Sequence, residues 1–272
     1  MSYRTPLGYR CLFLDIVSAG RGGPDFRLDP AHLKWLEREL AEAQSAGQRS
    51  VVFMHAYPAD LRADGDRFLQ SLKNQRVLAV DMGHTHYNEL TNDGQIILAT
   101  TRSTGQVEEG PVGFSVMNLE GDVVSWRFKP LDSAWPFVMI TTPADERLVT
   151  AATQRDPVVP GEFTVHARAW GAAGITACRC RIDRGDWLPM TATAEPSRWV
   201  ATCAAPQRPF ELTVEAEDRS GGFDSESIRV PMPGGSASMR SADGSDADCV
   251  GAWPAKHILG TQLGPNRNGK HW

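Results

Sequence analysis

A Gly-His-x-His run directly after an apolar strand is the feature that most constrains this chain. Residues 76–81, RVLAVD, form a short apolar and β-branched run with polar residues at both ends, which predicts a buried strand. Met82 and Gly83 then turn the chain, and His84 and His86 follow two residues apart. If the backbone stays extended here, both imidazoles project to the same side and can bind one metal ion or two.

A third histidine follows another predicted strand. Residues 50–54 form an apolar run that ends at His55, so one strand end supplies one imidazole and a second strand end supplies two. A lone histidine in this position is more often a hydrogen-bonded structural residue than a ligand, and that alternative stays open for His55. The pair at positions 84 and 86 is the stronger signal.

These motifs resemble the C-terminal part of the calcineurin-like metallophosphoesterases, a family of binuclear enzymes that includes purple acid phosphatases and bacterial class III cyclic-nucleotide phosphodiesterases. The family's ligand motifs run, in order, Asp-x-His, Gly-Asp, Gly-Asn-His-Asp or Glu, a lone His after a strand, and Gly-His-x-His. His55 in VVFMHAYP matches the lone His, and His84 and His86 match the final pair. The resemblance implies that His55 and His84 serve one metal ion and His86 the other, with Mn, Fe or Zn as the ions.

The first three motifs of that family do not occur before His55. Residues 9–18, YRCLFLDIVS, resemble the family strand that follows the Gly-Asn-His motif, which implies a chain that begins after the missing half. Asp15 is typical of that strand and is not carried over as a ligand. Three neutral imidazoles supply no carboxylate to offset the repulsion between two metal ions. We therefore expect weak metal binding and no phosphoesterase activity from this chain alone.

The 272 residues predict about two domains. The first, residues 1–134, reads as half of an α/β phosphoesterase sandwich. Asp29 is placed to cap a helix that repeats Leu33, Leu36, Leu40 and Ala43 and stops at Gly47. An isolated half would expose an apolar sheet, which offers a surface for oligomerisation. The other predicted elements are a helix at 66–73, a strand at 95–100 and a hairpin that pairs 113–118 with 123–128.

The second predicted domain, residues 135–232, is an antiparallel β-sandwich of immunoglobulin or fibronectin type III character. Short β runs follow one another there, separated by Gly, Pro and Asp, and helical periodicity is absent. Residues 233–251 are rich in Gly, Ser and Asp and predict a flexible linker. The closing residues 252–272 regain Trp, Ile and Leu, so we expect a tail that docks. The predicted strands of the sandwich are 162–170, 176–183, 198–204, 210–218 and 227–230.

Charge and hydropathy exclude several classes of function. The net charge is −5 and the basic residues form no run, so nothing predicts a nucleic-acid partner. No apolar stretch reaches 18 residues, and the first ten residues contain no signal-peptide core, so we expect no membrane segment and a cytoplasmic protein. The partner that the resemblance implies is a phosphate-ester substrate, provided that an N-terminal half is supplied.

Five cysteines leave an odd thiol and form no CxxC pair. Cys178 and Cys180 share one face of a predicted strand and Cys203 lies on another strand, which permits a disulfide. Buried, reduced thiols are nevertheless the expectation, because cysteine commonly packs as a small apolar residue.

Two functions compete. The first is a metal-dependent hydrolase of phosphomonoesters or phosphodiesters, by the resemblance. The second is a catalytically degenerate protein whose β-sandwich binds a protein or a glycan. Exposed aromatic residues would favour the second, and Trp170, Trp187 and Trp199 are the candidates, although tryptophan is more often buried in a core.

Overall fold

The structure is a computed structural model that describes residues 1–5, 7–22, 25–63, 65–84, 86, 88–92, 94–105, 111–153 and 161–231, with the backbone of 259–262. Its internal contacts divide the chain into two units. The first comprises Met1–Val112, Thr150–Ala152 and Arg240–Trp272, and the second comprises Gly113–Val149 and Thr153–Met239. The predicted hairpin therefore groups with the second unit, whereas the sequence placed it in the first domain, ending at residue 134. The predicted linker 233–251 lies outside the described residues, as does the tail apart from 259–262.

The first unit is built on a mixed seven-stranded sheet. Its central four strands, β2, β3, β4 and β6, are parallel, and the other strands are antiparallel to their neighbours. The order across the sheet is β1, β2, β3, β4, β6, β5 and then a C-terminal strand. The strands are β1 Ser2–Arg4, β2 Tyr9–Phe13, β3 Arg49–Phe53, β4 Val77–Met82, β5 Glu89–Asn92, β6 Ile97–Thr100 and the C-terminal strand Leu259–Gln262.

Two helices connect the parallel strands, as the sequence predicts. Helix α1, Pro30–Ser45, joins β2 to β3, and helix α2, Gly65–Asn74, joins β3 to β4. The Asp29 side chain accepts a hydrogen bond from the Ala31 amide at 2.7 Å, which confirms it as the N-cap of α1. Gly47 has a positive φ of 66°, a backbone conformation that suits glycine after a helix. None of the helices in the described parts of the chain combines the length and apolar character needed to cross a bilayer.

One face of the sheet packs against both helices. Leu12, Val52 and Val80 lie side by side on β2, β3 and β4, and each is almost fully buried. They join one apolar core with the predicted leucines of α1 and with Phe68 and Leu72 of α2. Burying a side chain of this size stabilises the fold by about 1.5–3 kcal/mol. The core therefore ties β2, β3 and β4 to both helices.

A buried arginine ties the sheet to α1. Arg10 on β2 is 1% exposed. Its Nη1 donates to the Glu39 carbonyl at 2.8 Å and to Glu39 Oε2 at 3.1 Å, and its Nη2 donates to Gln48 Oε1 at 3.0 Å. A buried charge is tolerated only when it is paired and hydrogen-bonded, and this guanidinium has both kinds of partner.

Replacing this arginine should therefore unfold the first unit more easily. We expect Arg10→Leu to lower its free energy of unfolding by about 3 kcal/mol, because the carboxylate and amide partners stay behind. Arg38→Leu is the control. The Arg38 side chain lies on α1, is 63% exposed, and is 3.9 Å from the carboxylate of Glu42. It should change stability by less than about 1 kcal/mol. Urea denaturation followed by helical circular dichroism measures both, because both described α-helices lie in this unit. Equal losses of stability in Arg10→Leu and Arg38→Leu would contradict the stabilising role of the buried Arg10 contacts.

The C-terminal strand was not predicted as a strand, although the sequence predicts that the tail docks. Its backbone pairs antiparallel with β5, with Leu259 opposite Asn92 and Gln262 opposite Glu89. It therefore covers the edge that β5 would otherwise present, and exposed edges invite pairing with other chains. The other apolar residues that motivate docking, Trp253, Ile258, Leu263 and Trp272, lie outside the described residues.

Removal of the tail should loosen β5. Truncation after Gly251 should speed hydrogen exchange at the Glu89–Asn92 amides that face the C-terminal strand, because those amides lose their ladder partners. Truncation after Leu263 is the matched control, since it keeps the strand and should keep the protection. If β5 exchanges equally slowly in both truncated proteins, the strand does not dock in solution.

The second unit contains a hairpin and a β-sandwich. The hairpin pairs β7, Gly113–Glu120, with β8, Val123–Pro130. The sandwich consists of two antiparallel sheets, ordered β13-β14-β10-β9 and β12-β11-β15-β16. Its strands are β9 Phe137–Thr142, β10 Gly161–Trp170, β11 Ile175–Ile182, β12 Leu188–Pro189, β13 Thr191–Ala192, β14 Arg198–Ala205, β15 Phe210–Asp218 and β16 Phe223–Val230.

The alternation in β15 confirms the predicted inward face of the sandwich. Phe210, Leu212, Val214 and Ala216 are each no more than 2% exposed and lie in one core with residues of the facing sheet. The predicted strands are thus confirmed to within a few residues, whereas the short strands β12 and β13 and the first strand β9 were missed. Assignment of the sandwich to the immunoglobulin or fibronectin type III class stays a prediction.

Candidate functional site

Two of the three predicted histidines meet at one edge of the sheet in the first unit. Strands β3 and β4 are parallel neighbours, with Phe53 opposite Asp81. His55 follows β3 by two residues and His84 follows β4 by two residues. Because the carboxyl ends of parallel strands open at the same edge, the two side chains approach one another. Their ring centroids are 5.3 Å apart, with the planes inclined at 62°.

A backbone hydrogen bond links the two histidine loops. The Gly83 amide donates to the His55 carbonyl at 3.0 Å, one residue beyond the end of β4. The His55 ring lies close to this glycine, and a Cβ atom at position 83 would meet its Nδ1 at 3.7 Å. The bond continues the β3–β4 ladder past its last residues. It therefore sets the separation of the two imidazoles.

The conformation of the Gly-His-x-His loop differs from the prediction. The prediction required an extended backbone, but His84 has a φ of 68° and His86 a φ of 67°, both in the left-handed region. The condition for the predicted alignment, an extended backbone, is therefore not met at His84 and His86. The physical reason is that the chain must reverse within six residues, because β5 runs antiparallel to β6 and β6 runs parallel to β4.

Two non-glycine residues in this conformation store strain. The left-handed region costs an L-residue roughly 1–2 kcal/mol, and such residues concentrate at functional sites. The His84 ring is held by its contact with His55. Charge interaction with His86 also lowers the pKa of His55, so all three histidines share one electrostatic environment.

A phenylalanine that the sequence analysis did not select completes the cluster. Phe26 is 5% exposed, and its ring lies edge-on to His84 at 4.8 Å and tilted to His55 at 5.7 Å. The Arg62 amide donates to the Phe26 carbonyl at 3.0 Å, which fixes the loop before α1. No sequence signal marked this residue, because Phe26 lies in a segment without periodicity. It gives the two imidazoles an apolar wall.

Buried polar contacts brace the loops on either side. The Tyr57 hydroxyl donates to Glu89 Oε2 at 3.2 Å, which connects the loop after His55 to the start of β5. Burial, followed by the charge of Glu89, raises the pKa of Tyr57, so the phenol keeps its proton. Asn88 Oδ1 accepts a hydrogen bond from the Arg102 amide at 3.0 Å. These contacts hold the chain where it leaves the histidine loop.

The surroundings of His55 favour its neutral imidazole form. Desolvation lowers the pKa of His55 below its ordinary 6.5, and the nearby His84 and His86 lower it further. Each neighbouring imidazole disfavours a second positive charge. At neutral pH His55 is therefore uncharged, which is the form that can bind a metal ion.

The described residues do not complete a binuclear metal centre. Across the described residues, no group of three or more His, Cys, Asp or Glu side chains is arranged to hold a metal ion. His55 and His84 offer two nitrogen donors, whereas a catalytic zinc ion normally has three protein ligands and a binuclear centre needs anionic ones.

Two carboxylates lie at or just after the ends of β2 and β4, and their surroundings differ. Asp15 follows β2 at the same edge of the sheet, but its Oδ1 accepts the amides of Val17 and Ser18 at 3.0 and 2.9 Å. The hydrogen bonds of Ser18, then that of Val17, lower the pKa of Asp15 to about 2. Asp81 on β4 differs, because burial alone raises its pKa to about 6. The sequence signal that could have identified Asp81 is an aspartate inside an apolar strand. None of the three histidines contributes to the pKa of Asp81.

Comparisons with known proteins do not assign this site. No protein-family model matches the chain, and no curated protein matches it. Similar solved structures include the sulfane dehydrogenase SoxCD from Paracoccus pantotrophus, with a TM-score of 0.28 and 18% identity over 48% of this chain and 32% of that one. The chain thus spans about a third of that protein.

Two further structures match at the same level. Fibronectin(III)-like modules of CbhA from Clostridium thermocellum give a TM-score of 0.27 and 12% identity over 53% of this chain and 77% of that one. A double mutant of the Cellulomonas fimi endo-beta-1,4-mannanase gives 0.26 and 14% identity over 80% of this chain and 47% of that one. Scores of this size carry no argument about fold or activity.

The titration of His55 tests the geometry of the pair. In a nuclear magnetic resonance titration, His55 should titrate below 6.5 and move upward in His84→Asn, because a neighbouring imidazole is removed. His32→Asn is the control, since His32 does not contribute to the pKa of His55. An unchanged His55 pKa in His84→Asn would contradict the 5.3 Å contact.

The same shift predicts a pH dependence of stability. The unfolded chain has an ordinary His55 pKa near 6.5 and the folded chain a lower one, so the unfolded chain binds more protons between the two values. The free energy of unfolding should therefore fall as the pH drops from 6.5 to the folded pKa, and this contribution should stay constant below it. His55→Asn should remove that part of the slope in urea denaturation.

Proposed function

We propose that this chain carries the imidazole part of a metal-dependent phosphoesterase centre and hydrolyses phosphomonoesters or phosphodiesters only when acidic ligands from outside these residues complete it. One observation carries the proposal. His55 and His84 lie 5.3 Å apart at the carboxyl ends of neighbouring parallel strands, in the order and motifs of the phosphoesterase resemblance. The strained loop that presents His84 and His86 supports a functional role, because strain of this kind persists where it is used.

The proposal includes the architecture around the site. Parallel strands β2, β3, β4 and β6, with α1 and α2 packed on one face, are the elements that half of an α/β phosphoesterase sandwich would supply. The other half of that sandwich is proposed and is not among the described residues. In the completed centre, His55, His84 and His86 would hold Mn, Fe or Zn, and the bound metal would supply Lewis-acid activation of the phosphate ester.

Without the acidic ligands, the imidazoles should bind one ion weakly. Neutral donors do not offset the charge of a second divalent cation, and two donors fall short of the three that a zinc site uses. Phe26 occupies one side of the pair and leaves less room for further ligands.

A binding module built on the sandwich is supported less well. The guanidinium groups of Arg179 and Arg181 lie over the Trp187 ring, at 4.5 and 4.4 Å from its centroid, Trp170 stacks on Phe137, and Trp199 packs against the sandwich core. All three are half-buried. Contacts within the chain therefore engage the aromatic faces that would stack on a sugar.

Calorimetric titration with Zn²⁺ and Mn²⁺ tests the site. We expect one ion or fewer per chain, and a loss of affinity of at least about tenfold in His55→Ala and in His84→Ala. His32→Ala removes an imidazole on α1 and should leave the affinity unchanged. Absence of any histidine-dependent binding would refute the proposed centre.

Hydrolysis of a phosphodiester by the chain alone tests whether the proposed metal centre needs ligands from outside these residues. With Mn²⁺ added, the chain alone should not hydrolyse bis(4-nitrophenyl) phosphate measurably. Coding DNA upstream of Met1 should encode Asp-x-His, Gly-Asp and Gly-Asn-His, and a protein that includes that segment should gain a hydrolysis that His55→Ala abolishes. Two tightly bound ions and robust hydrolysis by the chain alone would show that its ligand set is already complete.

A further inference from the structure

Two buried thiols face one another inside the sandwich of the second unit. Cys180 lies on β11 and Cys203 on β14, which belong to different sheets. Their Sγ atoms are 3.6 Å apart, in contact across the core. The two side chains are 0% and 7% exposed. A sulfur pair in contact across two sheets can be joined without separating the strands that carry it.

The surroundings of the pair are apolar. Cys180 lies opposite Val214 and Cys203 opposite Phe163 in their sheets, and all four side chains belong to the sandwich core. An apolar core offers a thiol few hydrogen-bond partners. The Sγ atoms of Cys180 and Cys203 are hydrogen-bond partners for each other. Cys178 is buried on the same strand and belongs to the same core, which makes it an internal standard for a thiol that only packs.

We propose that Cys180 and Cys203 form a redox-active dithiol, which a peroxide converts into a disulfide that joins the two sheets of the sandwich. Both cysteines are reduced in the structure. Closing the bond requires the sulfur atoms to approach from 3.6 Å to about 2.05 Å. Hydrogen peroxide is the oxidant that we name, because it is small enough to reach a buried pair.

The two thiols have different roles in this reaction. A hydrogen bond from Cys180 lowers the pKa of Cys203, so Cys203 is the thiol that ionises. Its thiolate attacks one oxygen of the peroxide, breaks the O–O bond and becomes a sulfenic acid, and the hydroxide that leaves takes up the proton that Cys203 released and becomes water. The Cys180 sulfur then attacks the Cys203 sulfur, and the sulfenic oxygen leaves as water. In sum, two thiols and one peroxide give one disulfide and two waters.

The disulfide would close a loop with 22 residues between the two cysteines, which contains β12 and β13. Such a crosslink restricts the unfolded chain and stabilises the folded one. The midpoint of thermal unfolding of the sandwich should rise by on the order of 10 °C. Peroxide exposure would thereby make the sandwich more rigid.

Peptide mapping of the full chain tests the pair directly. The reduced, folded protein is treated with hydrogen peroxide, remaining thiols are alkylated, and the digest is analysed without reduction. We expect a crosslinked peptide that contains Cys180 and Cys203. Cys178 should remain a thiol, because burial raises its pKa to about 12 and disfavours the reactive thiolate, and it should be alkylated once the protein is unfolded. Calorimetry of the oxidised protein should show the higher unfolding midpoint, and dithiothreitol should reverse it.

Matched variants separate this pair from other thiols. Cys178→Ala should keep the crosslink and the shift in midpoint, whereas Cys203→Ala should lose both. Mapping of the unaltered protein decides the question even if a variant fails to fold. A crosslink that uses Cys178 or Cys11 in place of Cys180, or both core thiols recovered alkylated after oxidation, would overturn the proposal.

Discussion

The parallel ladder between β3 and β4 is the constraint on which the candidate site depends. It brings two strand ends to one edge of the sheet, and the Gly83 amide bound to the His55 carbonyl extends it by one more step. The 5.3 Å separation of the imidazoles follows from that register. The register is set in turn by Val52 and Val80, which the two helices bury. The separation of the two imidazoles is thus a consequence of core packing several residues away.

Sequence periodicity predicts the parts of the fold that local forces decide. Helix α1 was predicted from its capping aspartate, its leucine repeat and Gly47, and β15 from strict alternation. Strand β5 and the C-terminal strand could not be predicted in this way. Both strands are short, and each forms because its backbone pairs with an edge of the sheet. Such pairing depends on the tertiary structure and leaves no periodic pattern in the local sequence. Arg10 shows the same limit, since its burial depends on Glu39 and Gln48 from other elements.

The residue types of the candidate site were predictable, but its geometry was not. Motif spacing selected His55, His84 and His86, and the structure brings the first two together. The extended backbone on which the predicted alignment depended is not found, since the chain reverses into β5 and has left-handed backbone at positions 84 and 86. Phe26 was missed because an aromatic contact across a loop leaves no trace in spacing. Among the described residues, no group of three or more His, Cys, Asp or Glu side chains is arranged to hold a metal ion, so acidic ligands belong to the proposal alone.

X-ray absorption spectroscopy of the zinc-loaded full chain tests most directly whether the two imidazoles act as one binding site. Our account predicts first-shell nitrogen scattering with the outer-shell pattern of two imidazole rings, and a fall to one ring in His84→Asn. Zinc bound through sulfur, or an imidazole signal that His84→Asn leaves unchanged, would contradict the central claim that this strand edge is an imidazole metal site.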